Sequence, residues 1–149
     1  MKIKSILFLF LFSLISVSAF SQKTIAWKDV MDIYAKEVRF SEKNPTLAIK
    51  GQGMSLKEIE GKKITITGYF LDLDPDGEWF MVSKNPFATC FFCGGAGPET
   101  VIELLKYKNV KKKFKTDDIV TVTGTIKMIA ENEDDVGFVI HNAIVKHLN

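Results

Sequence analysis

Two cysteines with the spacing of a thiol site, Cys90 and Cys93, are the only cysteines of the chain. Two phenylalanines separate them, and Gly-Gly-Ala-Gly-Pro follows from Gly94 to Pro98. Such a pair can form a permanent disulfide, cycle between dithiol and disulfide, or supply two of the four ligands of a tetrahedral zinc ion. A disulfide here closes a very small loop, so its entropic stabilisation lies near the bottom of the usual range of about 2–4 kcal/mol. The sequence alone leaves the three hypotheses open.

The glycines after the second cysteine favour a metal-binding turn. A C-x-x-C-G segment resembles a zinc knuckle, in which a glycine with positive φ lets backbone N–H groups point at the sulfur atoms. The predicted metal ligands are Cys90, Cys93 and His141, with zinc as the ion, because His141 lies well inside the last predicted strand. The alternative is that His141 is a partly buried histidine whose ring forms hydrogen bonds with the backbone. Glu99 is a further candidate ligand or a cap, His147 is expected to be solvated, and a second copy of the chain offers its own cysteine pair.

Several catalytic functions are excluded or disfavoured by the same residues. Catalytic C-x-x-C pairs have their first cysteine at a helix N-terminus in a βαβ fold, whereas Gly-Gly-Ala-Gly-Pro cannot begin a helix here. Covalent c-type haem requires histidine directly after the second cysteine, and Gly94 occupies that position. The sequence contains no H-E-x-x-H or P-loop pattern. No catalytic residue is therefore predicted.

The N-terminus has the layout of a signal peptide. Two lysines precede an apolar run over residues 6–15, and small residues including Ala19 and Ser21 follow. The apolar run is short of the roughly 20 residues that span a bilayer. The sequence predicts a signal peptide at residues 1–21, a single domain at residues 22–149, and a periplasmic or secreted protein with no integral membrane segment after cleavage.

The charge of the exported chain argues against nucleic-acid binding. The predicted leader contains two of the 20 basic residues and none of the 18 acidic ones, so 18 of each remain after cleavage. Binding to nucleic acid requires a basic groove, which a neutral exported chain disfavours. No nucleic-acid partner is predicted.

One helix and five strands follow from the hydrophobic periodicity. Apolar residues recur at helical spacing from Trp27 to Val38, which predicts a helix packed on a sheet. Alternation with period two then predicts strands, and a strand is favoured over a helix at the fourth of these segments. The predicted strands are residues 62–72, 78–83, 100–107, 118–129 and 136–147.

Turn chemistry arranges the strands into two hairpins. Asp-Pro-Asp-Gly at residues 74–77 is a turn between the first two strands, and an acidic turn at residues 131–135 joins the last two. Gly68 and Gly124 lie inside long strands, where a strongly bent sheet needs residues without side chains. The predicted fold is mainly β, a small OB-like five-stranded bent barrel with one N-terminal helix.

A resemblance covers roughly residues 55–147. The strand motif that begins at Gly61, the V-x-V-x-G-x-I motif that begins at Val120 and the C-x-x-C-G-G-A-G-P-E loop together resemble an exported bacterial family of unknown function. The resemblance implies an OB-like fold and genes that are often encoded beside ABC-transporter components. It implies no activity.

The sequence thus predicts an exported, non-catalytic binding module. Its cysteine loop is expected to hold a soft divalent metal, zinc foremost, or to dock on a membrane transport partner. A thiol–disulfide protein that uses Cys90 and Cys93 is the alternative, and an interaction domain with a passive disulfide is the third hypothesis. The predicted partners are a membrane transporter component or a second copy of the chain.

Overall fold

The computed structural model describes residues 22–39, 53–74, 79–90, 93–107, 114–130 and 136–148. The predicted leader, most of the first predicted turn and the acidic turn at residues 131–135 lie outside these described residues. None of the helices in the described residues is long and apolar enough to cross a membrane.

The described residues form six strands and two α-helices, with short 3-10 turns between the third and fourth strands. The elements are β1 (Lys23–Thr24), α1 (Trp27–Arg39), α2 (Leu56–Ile59), β2 (Lys63–Asp72), β3 (Phe80–Ser83), the 3-10 turns Phe87–Thr89 and Pro98–Thr100, β4 (Val101–Leu105), β5 (Ile119–Ala130) and β6 (Val136–His147).

The strands form one mixed sheet whose pairings close into a ring. The order is β1-β2-β3-β4-β6-β5. A further antiparallel pairing of β2 with β5 closes strands β2 to β6 into the ring and leaves β1 outside it. The β1–β2 and β4–β6 pairs are parallel, and the other pairs are antiparallel. The mainly β prediction and the two hairpins are confirmed, and the strand predicted at residues 100–107 is found at Val101–Leu105.

The predicted counts of five strands and one helix need correction. The sixth strand is β1, which pairs with Ile64 and Thr65 of β2 and is too short to show a periodicity. The second helix is α2, where the Glu58 carboxylate accepts a hydrogen bond from the backbone N–H of Ser55 (3.0 Å) and caps the helix. Ile59 buries this single turn against the core.

The main core fills the inside of the ring. Helix α1, predicted from its apolar stripe, contributes the fully buried Val30 and Ile33, and the indole N–H of Trp27 donates to the carbonyl oxygen of Thr67 (2.8 Å). The strands contribute side chains that alternate with outward-facing residues. These inward residues include Ile64, Ile66, Phe70, Val82, Ile102, Leu104, Val120, Val122, Ile126, Phe138 and Ile140.

The two strand glycines lie where another part of the chain comes too close for a side chain. A Cβ atom at Gly68 would lie 2.4 Å from the carbonyl oxygen of Ser83. At Gly124 it would lie 2.4 Å from Cγ2 of Ile140, and the β5–β6 register shifts at this point. The glycines therefore permit the close approach and the bulge that curve the sheet.

Candidate functional site

Residues 84–100 connect β3 to β4 and contain both cysteines; we call them the cysteine loop. The backbone N–H of Lys84 donates to the carbonyl oxygen of Thr100 (2.9 Å), so the two ends of the loop are joined. Beside this closure, the buried hydroxyl of Ser83 accepts a hydrogen bond from the N–H of Asn85 (3.1 Å). A surface loop with closed ends is a common carrier of function.

A distant aspartate anchors the first half of the loop. The N–H of Phe87, which begins the 3-10 turn, donates to Oδ1 of Asp117 (2.7 Å). The turn ends where the N–H of Cys90 donates to the carbonyl oxygen of Phe87 (3.2 Å). Asp117 is therefore one of the contacts that hold the turn leading to Cys90.

A second tight turn follows and places the two cysteines side by side. The carbonyl oxygen of Cys90 accepts hydrogen bonds from the N–H groups of Cys93 and Gly95, both at 3.2 Å. Gly94 has a φ of 73°, as the knuckle hypothesis predicts. The N–H of Gly95, however, bonds to a carbonyl oxygen and not to sulfur. A Cβ atom at Gly95 would lie 2.7 Å from the carbonyl oxygen of Thr89, so only glycine fits there.

The two sulfur atoms have different surroundings. Cys90 is 0% exposed, whereas Cys93 is exposed. Cys90 packs in a second apolar cluster with Leu71, Met81 and Val101. Each of those three residues neighbours an inward-facing residue along its strand, so the second cluster lies on the outer face of the sheet. The loop covers that face with the Cys90 side chain.

Both cysteines are free thiols, and their side chains are near enough for Cys90 to affect the pKa of Cys93. The pKa of Cys93 is raised above its ordinary value, first by partial desolvation and then by the charge and the hydrogen bond of Cys90. The protonated thiol is therefore favoured at Cys93, which lowers its thiolate fraction at neutral pH. Two adjacent thiols of this kind can close into a disulfide or bind a soft metal after deprotonation.

The second half of the loop is held by its own turn and lies near helix α1. The hydroxyl and the N–H of Thr100 both donate to the carbonyl oxygen of Gly97, at 2.7 and 3.1 Å. Burial, followed by the charge of Glu99, raises the pKa of Tyr34 on α1. The candidate ligand Glu99 therefore interacts with the helix.

The candidate histidines lie apart from the thiols. His141 of β6 pairs with Leu105 of β4, four residues beyond Val101, which packs with Cys90. At roughly 3.3 Å per residue this separation is about 13 Å along the strand. His147 is exposed and contacts the ring of Phe114, with ring centroids 4.7 Å apart.

No three metal-binding side chains come together in the part of the chain that the structure describes. This holds for the histidine, cysteine, aspartate and glutamate side chains of the described residues. The structure thus brings Cys90 and Cys93 together and does not bring His141 to them. Zinc binding stays a prediction that needs ligands from elsewhere.

Comparisons with known proteins identify a solved structure of similar fold. No protein-family model and no curated protein matches the chain. Among solved structures, the chain is similar to a DUF3299 family protein from Pseudomonas aeruginosa PAO1, with a TM-score of 0.51 and 12% sequence identity over 87% of this chain and 97% of that chain. At this identity the likeness shows the fold alone. It agrees with the resemblance to a bacterial family, whereas the cysteine-loop motif and the gene neighbourhood stay predictions.

Proposed function

We propose that this chain is an exported thiol–disulfide protein whose functional group is the Cys90–Cys93 pair. The observation that carries the proposal is the placement of two free cysteines on one hydrogen-bonded turn, one buried and one exposed. Two cysteines held on one short turn can form a disulfide when their Cβ atoms lie about 3.5–4.5 Å apart. The geometry therefore supports the thiol–disulfide hypothesis best. From the sequence alone, this hypothesis is the alternative to a metal-binding or docking module.

A passive staple accounts for the pair less well. A disulfide between residues three apart restricts the unfolded chain very little. The core inside the ring is extensive without it, and the cysteine loop is already closed by the Lys84–Thr100 hydrogen bond. The pair is therefore better explained by exchange chemistry than by fold stability.

Binding of a soft metal is the second candidate function. The positive φ of Gly94 and the two thiols on one turn support it, since a knuckle has this backbone geometry. Because the described residues of one chain bring together only two such ligands, zinc would need two more. A second copy of the chain could supply its own cysteine pair, and a membrane transport partner could supply other ligands.

We also propose the OB-like form of the fold and the exported location. The ring order β2-β3-β4-β6-β5 with a parallel β4–β6 pair supports an OB-like barrel. An experimental structure without the β2–β5 pairing would contradict the barrel. Export predicts a mature chain that begins at Gln22, and N-terminal sequencing of the protein from its natural source would test it.

Intact-mass measurement on the full mature protein tests the main proposal. Protein purified without reductant is incubated in glutathione buffers of graded redox potential, and the reduced and oxidised masses are quantified. We expect one reversible two-electron transition, with the oxidised form lighter by two hydrogens. A pair that stays reduced in glutathione disulfide, or that stays oxidised in excess reduced glutathione, would overturn the proposal.

The metal candidate is tested on the same protein in parallel. Reduced protein is supplied with zinc, cobalt or copper and examined by native mass spectrometry. Stoichiometric metal that is lost in Cys90→Ser and Cys93→Ser supports this candidate, and a metal-bridged dimer identifies a shared site. Absence of bound metal above background in reduced, metal-supplied protein would end it.

A further inference from the structure

We propose that the two thiols act in the reverse of their order in the chain. Cys93 exchanges with an external disulfide, and Cys90 resolves the mixed disulfide that results. This inference rests on the proposed thiol–disulfide function and adds the order of attack. It also defines the substrate class as a disulfide that is accessible at the surface of its carrier.

Exposure determines which sulfur an external disulfide meets first. Cys93 is exposed, whereas Cys90 is 0% exposed and packs with Leu71, Met81 and Val101. Thiol–disulfide exchange requires the attacking sulfur to approach a disulfide sulfur directly, so access limits the rate. Cys90 can make this approach to an external molecule only after the cysteine loop has moved away from the sheet.

The short turn between the cysteines determines the second step. The carbonyl oxygen of Cys90 accepts hydrogen bonds from the N–H groups of Cys93 and Gly95, so one turn holds the two cysteines next to each other. A mixed disulfide on Cys93 therefore has the Cys90 sulfur beside it. Resolution is intramolecular and gains the rate advantage of positioned reactants.

The reaction balances with an external disulfide as the only co-reactant. The Cys93 thiolate attacks one sulfur of that disulfide, forms a bond to it, and releases the other sulfur as a thiolate that takes up a proton. Cys90 then loses its proton and attacks Sγ of Cys93, which releases the second external thiol. The pair is oxidised by two electrons, and the external disulfide is reduced by two electrons to two thiols.

Single-thiol variants test the order of attack. Cys90→Ala leaves Cys93 as the only thiol, and Cys93→Ala leaves Cys90. Each full mature protein is mixed with glutathione disulfide or with a short peptide disulfide, and mixed-disulfide formation is followed by intact mass. The two reagents distinguish a small-molecule source from a polypeptide source, and both should show the same order of cysteines.

We expect Cys90→Ala to accumulate the one-to-one mixed disulfide at least about tenfold faster than Cys93→Ala, because only its thiol is exposed. A smaller or reversed ratio overturns the inference. Limited alkylation of wild-type protein by iodoacetamide, mapped by peptide mass, gives a second measure that is independent of the variants' folding. Labelling of Cys93 ahead of Cys90 supports the order, and equal labelling in the folded protein contradicts it.

Failure of this inference can be told apart from failure of the proposed function. If wild-type protein cycles reversibly but the variants show no preference, the order of attack alone is wrong. If Cys93 reacts first but wild-type protein never closes its own disulfide, the proposed function fails and the resolving role of Cys90 fails with it.

Discussion

The N–H of Phe87 donates a 2.7 Å hydrogen bond to Oδ1 of Asp117, across 30 positions of the chain. Phe87 begins the turn that ends at Cys90, and Asp117 lies next to β2, since its N–H donates to the carbonyl oxygen of Phe70 (2.8 Å). One carboxylate thus joins the cysteine loop to the sheet. This contact lies three residues before the buried Cys90.

We expect Asp117→Ala to expose Cys90 transiently. A hydrogen bond of this kind contributes about 1 kcal/mol net, so its loss should raise Cys90 alkylation about fivefold. The rate is measured in protein that carries Cys93→Ser, so that Cys90 is the only thiol. The free energy of global unfolding is measured alongside. If the opening is local, the alkylation rate of Cys90 rises by more than the loss of global stability explains.

Asp117→Asn is the matched control for this prediction. Asparagine keeps an acceptor oxygen at the same place and tolerates the positive φ of 72° at this position. Its alkylation rate should stay within about twofold of the parent, a range that corresponds to well under 1 kcal/mol. Equal rates in the alanine and asparagine variants would contradict the anchoring role.

Gly95→Ala should destabilise the cysteine loop. The new Cβ atom would lie 2.7 Å from the carbonyl oxygen of Thr89, so the turn must open. Overpacking of this kind costs about 1–3 kcal/mol, which urea unfolding can resolve. Gly137→Ala is the control, because a Cβ atom there meets none of the described residues within 4 Å. Equal losses of stability in both variants would show that the contact at Gly95 is unimportant.

The fold was largely predictable because the ring strands carry a strong local pattern. In β5, Val120, Val122 and Ile126 are buried on one face, and their alternation with polar residues is visible in the sequence. Strand β1 was not predictable, since two residues show no period. Helix α2 does not follow from the periodicity although Ser55 and Glu58 form a capping pattern, because its four residues are too few to show a helical period.

The candidate site was predictable only where local geometry determines it. A glycine directly after the C-x-x-C segment predicts a positive φ, which Gly94 adopts. The burial of Cys90 was not predictable, because Leu71, Met81 and Val101 meet it only through the pairing of three strands. Asp117 carried no recognisable signal either, since its partner is far away in the chain.

The reactivity of Cys93 should depend on pH in a defined direction. Because its pKa is raised, the alkylation rate at neutral pH is low and increases about tenfold per pH unit below that pKa. The midpoint of the pH–rate profile should lie above that of the same cysteine in urea-unfolded protein. Cys90→Ala removes the charge and the hydrogen bond of Cys90 but not the desolvation, so it should lower the midpoint part of the way. A midpoint at or below the unfolded value would contradict the raised pKa.

Glu103 should make stability depend on pH, because it pairs in register with Met81 on β3 and Val139 on β6, both of them buried. Burial raises the pKa of Glu103. A raised pKa in the folded state contributes stability that is fully present below the unfolded pKa of about 4.3 and is lost as pH rises through the folded pKa. At pH 7 the ionised carboxylate therefore carries a desolvation cost.

Glu103→Gln should remove that cost, so the variant should be more stable than wild type at pH 7. The gain should be below about 1 kcal/mol, since the side chain is only partly buried and water screens its charge. At pH 3 the wild-type carboxyl is protonated, and the gain should disappear. Urea unfolding at both pH values measures the difference.

Glu37→Gln on the exposed surface of α1 is the control and should change stability little at either pH. A Glu103→Gln protein that is less stable than wild type at pH 7, or equally improved at pH 3, would show that the burial of this carboxylate carries no cost.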